Sequence, residues 1–241
     1  MRTLLFISII LFSGGIAGTV HGLVNLAIVE PHLDTAIGIE NQNMFSSGEA
    51  HDTPEFWVEY YSYRAWQKSG EVLAGAILGT SIGALFGMVF AYSKGSLPGN
   101  SFVKKALLLS VIMWAVIYVI PFAKYPANPP TVGDPETIVL RQTLYVSFIA
   151  ISGLGALGFY YLNKRINKRS LAFVGYAAFI SAVFVAMPAN PDPITAPEPL
   201  VNSFRMASFV GVSIFWLVVA LVLGTLWQKL RPDSFKQSKI Q

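Results

Sequence analysis

Long uninterrupted runs of apolar residues restrict this chain to structures that a membrane can accommodate. Six runs of 17 to 26 residues cover 4–29, 72–92, 103–122, 138–162, 171–187 and 204–227. A helix needs about 20 such residues to cross a hydrocarbon core about 30 Å thick. Because backbone polar groups must be satisfied internally there, the runs predict transmembrane helices. The expected fold class is all-α, a polytopic membrane helix bundle.

Composition supports one membrane domain over the whole of 1–241. Charged residues make up 12% of the chain, against roughly 25% in soluble domains, and the mean hydropathy is +0.54. The chain has no cysteine, which excludes disulfides and thiolate metal sites. The basic residues are scattered beside apolar runs, so the net charge of +4 indicates a lipid bilayer as partner and no nucleic acid.

Two alternatives concern the number of spans. The start of the chain resembles a signal peptide, although its apolar run is long for one. The fifth run is the shortest, and a five-helix chain would follow if it only re-entered the membrane. The positive-inside rule favours six. With a cytoplasmic N-terminus, 12 of the 17 basic residues lie inside, and both termini of this multi-pass cell-membrane protein are cytoplasmic.

Internal similarity predicts three parallel hairpin repeats. Pro-Ala-Asn-Pro occurs at 126–129 and again at 188–191, and each copy leads through an acidic stretch to an arginine, Arg141 or Arg205, that opens the next helix. Helices one and two form a more diverged third copy. The remaining outer segment, 30–70, is expected to be an acidic extracytoplasmic loop containing an amphipathic helix over 53–68, with Thr53 as its cap and Pro54 in its first position.

Glycines every four residues indicate close helix packing. They occur at 14, 18 and 22 in the first span and at 75, 79, 83 and 87 in the second. Such stripes let backbones approach where lipid provides no hydrophobic drive. They predict that the first two spans pack together, or that one of them packs against a partner chain.

Imidazole and carboxylate groups at the outer end of the first span are candidate metal ligands. They are His21, Glu30, His32, Asp34 and Glu40. Asn25 lies one helical turn from His21 and is a candidate path residue. The alternatives are that His21 and Asn25 only hydrogen-bond another helix, and that the acidic residues form a plain solvated loop or a vestibule that concentrates cations.

Four residues of the later outer loops are candidates for a path or gate: Asn128, Asn190, Arg141 and Arg205. Each asparagine can instead bond its local backbone in an Asx turn. Each arginine lies in a first helical turn, where a cation is unfavourable, so we expect nearby acids to compensate. These acids are Asp134, Glu136, Asp192 and Glu198. Structural clamps and anion contacts are both compatible with this pattern.

The outer loops resemble those of the CbtA family of predicted cobalt transporter subunits. The likeness is carried by 121–130 (PFAKYPANPP), by 132–138 (VGDPETI) with Arg141, and by 187–192 (MPANPD) with Arg205; the first helix and its Glu30-Pro31 exit fit as well. Two features depart from the family as usually described, because only His51 lies where a His-rich stretch is common and the family is assigned about five spans.

The resemblance implies a transporter subunit for a transition metal, cobalt in particular, and a possible second subunit as partner. No cofactor is expected beyond a transported divalent metal. No P-loop, HExxH or GxSxG motif occurs in the sequence, which indicates that the chain is not an enzyme. The expected path starts at the acidic outer face and passes His21 and Asn25, with Asn128 and Asn190 near the outer gate. The alternative is a non-transporting structural or assembly subunit of a larger membrane complex.

Overall fold

A computed structural model describes residues 2–130 and 132–233, and helices make up most of that part of the chain. In order they are α1 (Thr3–Ile28), α2 (Glu30–Ser47), α3 (Pro54–Ser93), α4 (Phe102–Trp114), a π-helical turn (Ala115–Val119), α5 (Ile120–Lys124), a 3-10 turn (Pro135–Thr137), α6 (Ile138–Ile166), α7 (Arg169–Ala186) and α8 (Glu198–Leu230). No strand occurs among these residues. The all-α prediction is confirmed.

Six helical segments are long and apolar enough to cross a membrane. They are Thr3–Ile28, Pro54–Ser93, Phe102–Lys124, Pro135–Ile166, Arg169–Ala186 and Glu198–Leu230. The predicted spans coincide with them to within a residue or lie inside them. The fifth, on which the five-helix alternative depended, has 18 residues, which is long enough to cross. The chain is therefore a multi-pass membrane protein.

Backbone contacts divide the chain into two units. The first contains the residues up to Val111 and those from Met206 onward, and the second is Ile112–Arg205. The first unit thus combines α1 to α3 with most of α8. This division does not follow the three hairpins, and the parallel repeats stay a prediction.

The glycine stripes bring α1 and α3 of the first unit into backbone contact. A Cβ built on Gly22 would lie 2.7 Å from the Cα atom of Val72, and Cβ atoms on Gly14 and Gly18 would collide with the carbonyl oxygens of Gly79 and Gly75. Lipid gives these helices no hydrophobic drive to associate, so their close contact depends on van der Waals packing. The prediction that the first two spans pack together is confirmed.

The segment 30–70 is largely helical, where a loop with one short helix was expected. Thr53 caps α3 as predicted, since its Oγ1 atom accepts a hydrogen bond from the backbone N–H of Phe56 at 3.3 Å, and Pro54 takes the first position. The helix then continues through Lys68 to Ser93, for 40 residues. No proline interrupts it, and Gly70 alone is a weak breaker. At 1.5 Å per residue α3 is about 60 Å long, twice the hydrocarbon thickness.

In the second unit α6 packs against α7 and against the π-helical turn. The ring of Phe179 covers Gly155, and the ring of Phe159 covers Gly175. The Ser152 hydroxyl donates to the backbone carbonyl of Val116 in the π-helical turn at 2.6 Å. It also lies 2.8 Å from the Tyr176 hydroxyl, which joins the three elements.

Candidate cation site

An ion-pair cluster with two buried and two partly exposed members ties α2 to α3 in the first unit. The Nη2 atom of Arg64 donates to Glu30 Oε2 and, at 2.8 Å, to Asp34 Oδ1. Lys68 Nζ lies 2.6 Å from Asp34 Oδ2. Arg64 and Glu30 are only 6% and 8% exposed. Removing one partner of such a pair leaves a buried charge without compensation, which costs roughly 3–5 kcal/mol.

Helical spacing explains why these four residues meet. Glu30 and Asp34 are four residues apart on α2, and Arg64 and Lys68 are four apart on α3, so each pair projects from one face of its helix. Helix α2 begins at Glu30 with Pro31 next, where the missing amide hydrogen is tolerated. The candidate ligands Glu30 and Asp34 are therefore brought together, with two cationic side chains between them.

His21 and Asn25 lie at the neighbouring contact between α1 and α8. His21 Nδ1 lies 3.1 Å from the backbone carbonyl of Gly211, which can only accept, so Nδ1 is the donor. In the neutral ring Nε2 then accepts from Asn25 Nδ2, at 3.4 Å. A Cβ on Gly211 would lie 2.8 Å from Asn25 Oδ1, so the Asn25 side chain would have to move to admit one. The hydrogen bond from His21 to α8 agrees with one of the two interpretations of this residue, namely that it bonds another helix.

Glu71 is a further member of this region that the sequence did not single out. Its carboxyl group lies beside Asn25 and Glu30. Two buried oxygen atoms here, Glu71 Oε2 and Asn25 Oδ1, receive no hydrogen bond from any described residue. Buried acceptors without a donor are costly, which makes this a place where a bound cation or water is favoured. We call His21, Asn25, Glu30, Asp34, Arg64, Lys68 and Glu71 the α1–α3 polar cluster.

The α1–α3 polar cluster contains more carboxyl groups than cationic side chains. Three carboxyl groups face Arg64 and Lys68, so one negative charge is left over whenever Glu71 is ionised. In surroundings of low dielectric constant such an excess attracts a cation far more strongly than it would in water. The cluster therefore has the charge and the donor atoms to attract a small cation.

The other candidate ligands do not complete a coordination shell. His32 is half-buried on α2, and Glu40 is exposed near the far end of that helix. Across 2–130 and 132–233, no three His, Asp or Glu side chains come close enough together to hold a metal ion. A cation in the α1–α3 polar cluster would thus keep water or use amide and carbonyl oxygen atoms among its ligands.

Asp34 shows how this environment affects an ionisable group. Partial burial alone raises the pKa of the Asp34 carboxyl group, but the hydrogen bonds and positive charges of Lys68 and Arg64 outweigh it. The pKa of Asp34 therefore lies below its usual value. The carboxylate stays charged under all ordinary conditions, which holds the two cations in place.

In the second unit Arg141 of α6 bonds a residue in the loop between α7 and α8. Its Nε atom lies 2.9 Å from Asp192 Oδ2, an atom that also accepts from the Thr137 hydroxyl at 2.6 Å. The Asp192 side chain is 5% exposed. Of the four acids expected to compensate, Asp192 is thus the one paired with Arg141 through its carboxylate. Asp134 contributes its backbone carbonyl instead, at 3.1 Å.

Arg205 makes the reciprocal contact with the first loop. Helix α8 begins at Glu198, so the prediction that Arg205 lies in the first turn is wrong, and Arg205 is the eighth residue of the helix. Its Nη2 atom donates to Asn128 Oδ1 at 2.7 Å, and its Nε atom lies 3.3 Å from the carbonyl oxygen of Ala127. The bond that the structure shows for the Asn128 oxygen is thus to a residue 77 positions away, whereas the local Asx turn stays a prediction. Asn190 does form such a turn, accepting from the backbone N–H of Asp192 at 3.3 Å.

Long membrane-crossing helices and a buried polar cluster define a polytopic helical membrane protein with a candidate site for a cation. Comparison with known proteins then gives the family. The chain belongs to the CbtA family, described as probable cobalt transporter subunit, whose model matches residues 1–228. No curated protein and no solved structure matches the chain.

Proposed function

We propose that the chain is the membrane-embedded subunit of a transporter for a divalent transition-metal ion, cobalt first, which enters from the extracytoplasmic side. The observation that carries this proposal is the pair of buried oxygen atoms on Asn25 and Glu71 that lack donors next to the carboxyl group of Glu30. Ionisable groups at membrane depth are expensive and commonly belong to ion pathways. Family membership supports cobalt as the cargo.

In this proposal the α1–α3 polar cluster is the entry to the path. Glu30 and Asp34 attract the cation while Arg64 and Lys68 keep the carboxylates in position. Asn25 and Glu71 supply oxygen atoms, and the neutral ring of His21 offers Nε2 once Asn25 turns away. His32 and Glu40 lie further along α2 and extend the polar surface over which the cation would approach the cluster.

The two arginine clamps of the second unit form the proposed outer gate. Arg141 with Asp192, and Arg205 with Asn128, each join the outer loop of one hairpin to that of the next. Asn190 shapes the loop that presents Asp192. In this proposal the contacts hold or release the loops and take part in no covalent reaction. We therefore propose that the chain is not an enzyme.

Uptake of radioactive cobalt by cells expressing the chain tests the proposal, with nickel and zinc as competitors. Glu71→Gln removes the charge with little change of shape, and Asn25→Leu removes the amide oxygen. We expect either change to weaken apparent cobalt affinity about tenfold or more, the usual loss when a group supporting a metal is removed. Glu59→Gln is the matched control, because Glu59 is exposed on the same helix.

The description of the family as a subunit favours a partner, so a pull-down in mild detergent accompanies the uptake assay. Saturable uptake that the two variants reduce and the control retains supports transport. If folded wild-type chain gives no uptake, alone or with every captured partner restored, transport is contradicted. The non-transporting alternative has lost one support, because the glycine stripes are occupied by contact between α1 and α3.

A further inference from the structure

A groove on the second unit has the dimensions of one leaflet of a membrane. It has a volume of about 650 Å³ and lies between the π-helical turn, α6 and α7. Along α7 it extends from Arg169 to Ser181, which is about 18 Å at 1.5 Å per residue. Half of a hydrocarbon core of about 30 Å is roughly 15 Å. The walls between its ends are apolar, with Ala172, Phe173 and Ile180 among them.

Polar groups are concentrated at one end of the groove. Arg169, exposed in the first turn of α7, lines it and forms no ion pair with any described residue. Asn163, in the last turn of α6, lines the same end, and its buried Oδ1 atom receives no hydrogen bond from the described part of the chain. A cation and an acceptor without a donor thus line the same end of the groove, where the apolar walls stop.

We propose that this groove binds one anionic phospholipid whose headgroup carries a hydroxyl group. Its phosphate pairs with Arg169, a headgroup hydroxyl donates to Asn163 Oδ1, and one acyl chain lies along α7. The basic residues Lys164 and Arg165 next to the site add attraction for acidic lipid, as basic pockets between membrane helices do. The phosphate also offsets the unfavourable position of Arg169 at a helix N-terminus.

Native mass spectrometry of the whole protein in mild detergent tests this inference. The probe is phosphatidylglycerol, and the comparison lipid is phosphatidylcholine, whose headgroup has no hydroxyl group and no net charge. Wild-type protein is expected to retain phosphatidylglycerol. Arg169→Gln and Asn163→Leu should each weaken its retention, Arg169→Gln by about tenfold, the usual loss for a charge-assisted hydrogen bond. Lys168→Gln is the matched control, because it removes the same charge one residue outside the groove lining.

A change of shape without a change of charge completes the test. Ala172→Phe fills the groove and is expected to displace the lipid, while circular dichroism and the elution volume show that the fold is kept. Equal loss with Arg169→Gln and Lys168→Gln would reveal only general attraction and overturn the site. Equal retention of the two lipids, or retention by Ala172→Phe, would overturn it as well.

Discussion

Gly133 shows how one residue permits the contact between two outer loops. Its φ angle is 106°, in the region that favours glycine. A Cβ at this position would lie 2.6 Å from Arg141 Nη1 and 2.6 Å from Asp192 Oδ2. Because Gly133 has no side chain, the Arg141–Asp192 pair has room beside it. Glycine also adopts this positive φ with little strain.

Replacing Gly133 by alanine is expected to destabilise the protein by about 1–3 kcal/mol, because it combines an unfavourable φ with a collision at the ion pair. Thermal unfolding in detergent, followed by loss of helical circular dichroism, measures the change. Gly158→Ala is the control, since a Cβ there meets open space in α6. Equal stability of the two variants would contradict the role assigned to Gly133.

Single residues were also where the sequence was least informative. His21, Asn25 and Glu30 stood out because polar groups are unusual beside an apolar run. Glu71 did not, because it sits at the edge of a predicted span, 41 positions after Glu30, and helical periodicity does not reach across the turn at Pro31. The partner of Asn128 was likewise hidden, because local rules offered an Asx turn and do not predict the tertiary contact with Arg205.

At the scale of helices, α1 and α3 are joined by backbone contact over several turns. The contact has no flexible side chain to yield, since the atoms that approach Gly79 belong to the backbone of Gly14 and Gly18. Overpacking usually costs about 1–3 kcal/mol even where side chains can move. Added bulk here must separate the helices.

Gly79→Val is therefore expected to lower stability by at least about 3 kcal/mol, the upper end of ordinary overpacking. Elution profile and melting temperature in mild detergent provide the measurement. Gly70→Val places the same residue on the same helix where a Cβ meets nothing, and it should elute and melt as wild type does. If both variants behave alike, the close packing of α1 and α3 is not what stabilises the first unit.

The α2–α3 ion pairs carry a prediction about pH. Because the folded pKa of Asp34 is lowered, its contribution to stability is complete above the unfolded value of about 3.9 and is lost as pH falls through it towards the folded pKa. The protection of α2 amides against hydrogen exchange, expressed relative to the intrinsic exchange rate at each pH, should therefore fall in acid. The difference in protection between wild type and Asp34→Asn isolates this group from other carboxyl groups, and it should shrink as the pH falls below the unfolded pKa. A difference that is the same at pH 7 and in acid would contradict the linkage.

Helix by helix, the sequence was a good guide wherever a pattern is periodic. The six spans follow from length and hydropathy, and the α1–α3 contact follows from the four-residue glycine spacing. The continuous α3 was missed because the change from polar to apolar residues near Gly70 resembles a boundary. A helix that has strong helix-forming residues on both sides of a single glycine can continue through it.

For the whole molecule, the sequence could not show that α8 returns to the first unit. That return depends on contacts such as the bond between His21 and Gly211, which are 190 positions apart. The sequence similarity between the hairpins therefore did not predict which helices pack together. The orientation in the membrane, by contrast, is predicted by the number of basic residues in the loops and is open to direct measurement.

The absence of cysteine makes that measurement simple. Single cysteines at Glu49 and Pro193 should react with a membrane-impermeant maleimide in intact cells. Cysteines at Asn100 and Lys168 should react only after the membrane is opened, because the positive-inside rule places them in the cytoplasm. All four positions are exposed, so burial does not confuse the result. Labelling of the second pair in intact cells would reverse the predicted topology.

The length of α3 has a mechanical consequence. Its outer half bears Arg64 and Lys68, and its inner half is locked by glycines to α1. A continuous hydrogen-bonded helix about 60 Å long resists bending over a few turns, so it moves as a lever. Any shift of the carboxylates around Arg64 would thereby be carried along the helix, and α1 would tilt with it because the two backbones are in contact over several turns.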